Sequence, residues 1–138
     1  MTLATAIYNH LTGDAIISAI AGVRVYPVGA PEDEIGSAPV QCAVIYSLLS
    51  RQHDYALPGN KTLDRFRWDF QCIAADYDQA HELCAAVIDA LNHFRGVMGG
   101  EGGVSVQHCI LQDQRDDINA DLLERGMYGT TAEFEIAT

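Results

Sequence analysis

The sequence predicts an α+β domain: a mainly antiparallel sheet of four to five strands, a long helix packed on one face, and short helices at the N-terminus. Three observations lead there. Residues 65–72 alternate strictly, with Phe66, Trp68, Phe70 and Cys72 on one side and Arg65, Arg67, Asp69 and Gln71 on the other, as in a strand with one buried and one polar face. Residues 77–95 set Ala80, Leu83, Cys84, Val87, Ile88, Leu91 and Phe94 at i, i+3, i+4, i+7 spacing, a wide apolar stripe on a helix. The order of patterns along the chain, α-α-β-β-β-α-β-β, lacks the regular alternation of βαβ units, so the helices belong on one side of an antiparallel sheet.

Taken in order, Leu3, Ile7 and Leu11 repeat at helical spacing, Gly13 suits the end of that helix, and Asp14 can cap a second one closing near Gly22. "RVYPV" reads as a brief strand stopped by Pro27, since proline cannot donate to a ladder. After the acidic segment "GAPEDEIGSAP", residues from Val40 to Leu49 are apolar at successive positions and predict a strand covered on both faces. "SRQHDYALPGNKT" then reads as a long loop with a turn at Pro58-Gly59-Asn60, joining that strand to the alternating one as a hairpin. Asp76 or Asp78 can cap the long helix and Gly96 can end it. "GVMGGEGG" is a glycine-rich connection to a strand from Val104 to about Gln112. The charged "DQRDDINADLLERG" separates it from a last strand in which Tyr128, Ala132, Phe134 and Ile136 alternate with Thr131, Glu133 and Glu135.

The chain has 138 residues, a length expected of one domain spanning 1–138, and 49% of them are hydrophobic against 20% charged, a globular composition. Eight basic and nineteen acidic residues give a net charge of −11, which disfavours adhesion to phosphates or anionic lipid. No apolar run reaches the ~20 residues of a membrane span, and the N-terminus is not expected to act as a secretory signal. Cys42, Cys72, Cys84 and Cys109 are widely spaced without a CxxC pair and are expected to be small buried hydrophobes in a reducing compartment.

No motif argues for catalysis, a cofactor or a metal. "GVMGGEGGV" lacks the GK[ST] ending of a phosphate loop and precedes a strand. His81 with Cys84 and His108 with Cys109 could mimic a zinc set, but Cys84 belongs to the helix's apolar stripe and strand neighbours point to opposite faces. Glu32, Asp33 and Glu34, and likewise Asp116 and Asp117, are local runs expected in loops, where neither partner is desolvated as acid–base work requires. What stands out is surplus polar structure. The outward face of the sheet carries Arg65, Arg67, Asp69, Gln71, Gln107, Glu133 and Glu135, and irregular segments are expected at 27–39, 51–62 and 113–127. Loops that long are usually functional or disordered.

The order of these segments resembles the tail completion, or tail terminator, family of long-tailed bacteriophages and prophages. The likeness runs through "IAGVRVYPVGAP", "APVQCAVIYSL", "RFRWDFQCIAADYDQAHELCAAVIDAL" and "TTAEFEIAT", and covers nearly the whole chain. It implies a non-enzymatic virion-tail protein, present in the host cytoplasm during assembly. Such a protein forms a ring, usually of six copies, that caps the tail tube and offers a surface to the head–tail connector, while DNA passes through without specific binding. Cyclic assembly uses two different, complementary patches per subunit. The expected contact groups are Arg65, Arg67, Asp69, Glu133 and Glu135 on the sheet. Glu32, Asp33, Glu34, Asp116 and Asp117 are expected in acidic loops at an interface or the lumen. The alternatives are another neck or head–tail connector component, and a small bacterial ligand-binding domain whose mark would be a deep pocket with converging polar groups.

Overall fold

The computed structural model describes residues 1–28, 42–56, 60–118 and 120–138, by backbone alone at 53–56, 60–63, 120 and 121. The helices are α1 (Leu3–Thr12), α2 (Ala15–Ala21), α3 (Tyr77–Leu91) and a short α4 (Ala120–Glu124). The strands are β1 (Val25–Pro27), β2 (Ala43–Ala56), β3 (Asn60–Ala74), β4 (Gly96–Met98), β5 (Val104–Val106), β6 (His108–Asp116) and β7 (Tyr128–Ala137). Five of them form one sheet in the order β1-β2-β3-β7-β6, and β4 pairs with β5 in a separate two-stranded sheet. All pairs in the large sheet are antiparallel except β1 with β2. The α+β class stands, with a main helix of 15 residues.

Local chemistry sets the helix ends. Thr2 caps α1 by accepting from the Thr5 amide, and Asp14 caps α2 by accepting from both Ile16 and Ile17 at 3.0 and 3.1 Å. Asp76 caps α3. At its far end α3 stops at Leu91, before the predicted Gly96. Asn92 turns extended there, and its side-chain Oδ1 accepts from the Leu111 amide, tying the helix to β6. Phe94 therefore leaves the helix and packs edge-on to His10 at 4.6 Å, while Gly96 opens β4 with φ +117°.

One core lies between the sheet and the helices. α1 contributes Leu3, Ile7 and Leu11, and α3 contributes Ala80, Leu83, Cys84, Val87 and Leu91, all buried. They meet Val44, Tyr46, Trp68, Phe70, Cys72, Ala132, Phe134 and Ile136. Phe70 stands edge-on to Phe134 at 5.6 Å, and the Tyr46 hydroxyl donates to the Ala4 carbonyl at 3.2 Å, locking α1 to β2. A smaller cluster of Ala43, Ile73 and Met127, flanked by Tyr26, Ile45 and Leu122, fills the opposite face at one end. Double coverage of β2 thus holds only at its start, because Leu48 and Leu49 are about half exposed.

Four sequence expectations are corrected. The predicted loop 51–62 is mostly strand, since β2 runs to Ala56 and β3 begins at Asn60, paired from Arg51↔Phe66 to Ala56↔Asn60. Backbone pairing needs no hydrophobic alternation, so its absence there misled. Segment 113–127 is not one irregular stretch either, because β6 extends to Asp116 and α4 follows. The glycine-rich segment 96–103 is not only a connection, because its first three residues form β4, and it leads into β5. The strand predicted over 104–112 divides at Gln107, where the chain exchanges β4 for β7 as its partner. In the large sheet, parallel pairing of β1 with β2 requires a connection of a dozen or more residues, which is the length the sequence provides between Pro27 and Ala43.

Candidate interaction surface

The polar face of the sheet is built where β3, β7 and β6 lie side by side. Register sets Arg67 opposite Glu135, Asp69 opposite Glu133, and Asp113 opposite Glu133 on the other side. Side chains then pair along the diagonals. Arg65 reaches Glu135 at 3.9 Å, Arg67 reaches Glu133 at 3.5 Å, and His108 Nε2 lies 3.3 Å from Glu135. Arg115 bridges Asp69 at 3.6 Å and Asp113 at 3.2 Å. Asp117 accepts from Gln71 Nε2 at 2.9 Å and from the Thr131 hydroxyl at 2.7 Å.

All five sheet residues singled out from sequence, Arg65, Arg67, Asp69, Glu133 and Glu135, therefore gather on one face. Arg65 and Arg67 pair with Glu135 and Glu133 within the chain, whereas Asp69 pairs with Arg115. Sequence reasoning missed Arg115, Asp113 and His108. The signal was their alternation along β6, hidden because Leu111 and Asp113 flank a register shift.

Asp69 is the most perturbed member. Burial pushes its carboxyl above the ordinary range, Arg115 opposes, and Glu133, Asp117 and Asp113 push it further up. One of its oxygens, Oδ1, is buried without a hydrogen-bond partner among the described residues.

The two loop acids separate. Asp116 ends β6 and turns to the helix side, where it meets the Tyr77 hydroxyl and His81, both at 2.7 Å. Asp117 turns to the polar face. Asp116 is thus a strand residue and not the loop residue expected from sequence, whereas Asp117 lies in the short irregular segment between β6 and α4, as expected. Glu32, Asp33 and Glu34 lie outside the described residues.

The remaining candidates divide similarly. Cys84 is buried in the core, where its Sγ accepts from Gln114 Nε2 at 3.6 Å, while His81 faces solvent beside Asp116. Cys109 is buried, its thiol pushed up to about 12, while His108 turns to the polar face. Among the described residues no group of three or more His, Cys, Asp or Glu is arranged to hold a metal ion. All four cysteines are buried and unpaired, as expected from their spacing. A shallow open groove is lined by Asn9, His10, Gly13, Asp14, Val97, Gly99 and Gly100. Two of its polar side chains are engaged within the fold, His10 by the Ala90 carbonyl and Asp14 as the cap of α2. No described helix is long and apolar enough to cross a membrane.

No family model matches the chain, and no curated protein matches it. Among solved structures, its fold is similar to that of a chain in the virion of a native gene transfer agent particle. That match has a TM-score of 0.69 and 20% identity, and covers 98% of this chain and 92% of the other. At that identity the likeness is one of fold.

Proposed function

We propose that the protein is a structural component of a phage-like particle, acting by shape and matched polarity and not as an enzyme. The observation that carries this reading is the fold match with a gene transfer agent virion chain along nearly the full length of both chains. The internally paired polar sheet face is compatible with it.

Within the particle, the sequence resemblance points to the tail terminator role. Six copies form a homo-oligomeric ring that ends tail-tube polymerisation and receives the head–tail connector. A net charge of −11 suits a ring that lets DNA slide through without binding it. Charge pairs such as those on the sheet set register between surfaces more than they add affinity.

Electron microscopy of particles made without the protein tests this role. Overlong tails, or tails detached from heads, are the expected result, and tails of normal length joined to heads refute it. Binding to purified tail tubes, as against DNA-filled heads, separates a terminator from another neck component.

A further inference from the structure

Where β3 runs into α3, three rings and a carboxylate gather on the surface. Tyr77 and His81, one turn apart on α3, hold their rings 4.5 Å apart, and Tyr128 at the start of β7 meets Tyr77 nearly perpendicular at 6.1 Å. Asp116 accepts the Tyr77 hydroxyl on Oδ2 and contacts His81 Nε2 through Oδ1, both at 2.7 Å. The cluster is open to water: Tyr77 is 45% and Tyr128 41% exposed. In the adjoining chain Ile118 is fully exposed and Leu123 more than half so.

Stability of the fold does not account for this arrangement, because contacts so open to solvent contribute little to it. Their effect is to fix two tyrosine rings and one carboxylate in position before any partner arrives. The field there is negative. The Tyr77 hydroxyl, and after it His81, hold Asp116 below the ordinary carboxylate range, and Asp76 and Asp78 are exposed at the start of α3. Arg115, the preceding residue, is turned to the other face and engaged by Asp69 and Asp113. Aromatic faces attract cations within about 6 Å, a neighbouring carboxylate adds to that attraction, and tyrosine is enriched at interface centres.

We propose that the Tyr77–His81–Asp116–Tyr128 cluster is a docking site for an arginine- or lysine-bearing segment of a partner protein, its cation seated against the tyrosines beside Asp116. The inference is independent of whether the protein ends a tail.

The test titrates the isotope-labelled full-length protein with acetyl-Gly-Arg-Gly-Arg-Gly-amide, and separately with the same peptide carrying glutamate for arginine, following backbone amide shifts. Expected are shifts confined to residues 77–81, 116–118 and 128 with the arginine peptide alone. The pair Tyr77→Leu/Tyr128→Leu, which keeps every carboxylate, is expected to bind about tenfold more weakly. Shifts spread over the whole acidic surface, or a leucine variant that binds like the parent, overturn the proposal, as does equal binding of the glutamate peptide. Should the leucine pair fail to fold, Asp116→Asn makes the same test. Binding weakened about threefold or more supports the site, and unchanged binding overturns it.

Discussion

The double reversal Arg65→Glu/Arg67→Glu removes two bridges, to Glu135 at 3.9 Å and Glu133 at 3.5 Å, and sets like charges in their places. The arginine side chains are 37% and 49% exposed, so each bridge contributes about 0.2–1 kcal/mol and each repulsion costs a similar amount. The four effects sum to about 1–4 kcal/mol, a fall of roughly 3–15 °C in Tm for a domain of this size. Lost assembly in that variant would therefore not distinguish a broken interface from a weakened fold. The fourfold swap Arg65→Glu/Arg67→Glu/Glu133→Arg/Glu135→Arg does. It restores opposite signs across the β3–β7 register and inverts the pattern shown to a partner. His108 loses its carboxylate in the swap, whereas Asp69 gains an arginine directly opposite. Thermal melts followed by circular dichroism should then lie within a few degrees of the parent, while binding to tail tubes is lost. A swap that melts like the double reversal refutes the pairing argument. One that folds and binds tubes like the parent refutes the use of this face in assembly.

Phe70→Ala empties a fully buried site against Phe134 and Tyr46 and should cost about 3–5 kcal/mol in urea unfolding, and a loss below about 1 kcal/mol would contradict the assigned core. Asp14→Ala leaves the Ile16 and Ile17 amides without their cap and should cost about 0.5–2 kcal/mol, with Asp14→Ser close to the parent by the same measurement. Because Asp69 has a raised pKa in the folded state, the folded protein takes up a proton more readily than the unfolded chain, and stability falls as pH rises through that range. The parent should therefore lose stability relative to Asp69→Asn as pH climbs from about 4 toward 7, and a difference constant with pH would refute the assignment.

Much of the fold was legible because burial imposes periodicity. The alternation from Arg65 to Cys72 and the stripe from Ala80 to Leu91 are direct consequences of one face meeting the core, and both stand in the structure. Legibility ended where a strand has no apolar side. Gln114 and Asp116 lie on the helix side of β6, yet one reaches Cys84 Sγ and the other Tyr77 and His81, so polar residues occupy positions that pattern reading assigns to a loop. The end of α3 was misplaced for a related reason. Asn92 stops the helix through a bond to Leu111, a residue remote in sequence, while Gly96 offered the stronger local signal.

The candidate surface divides in the same way. The sequence by itself determined which side chains share the polar side of each strand, because successive residues must alternate across a sheet. It also determined the acidic balance that any partner meets. Only the tertiary structure decided that β7 lies between β3 and β6. That strand order gives Arg65 and Arg67 their glutamates and brings Arg115 to Asp69. It also brings Asp116 to the rings of α3, beside Tyr128 at the start of β7. Such neighbours are chosen by strand order and register, which follow from packing the whole chain around one core and are written in no local pattern.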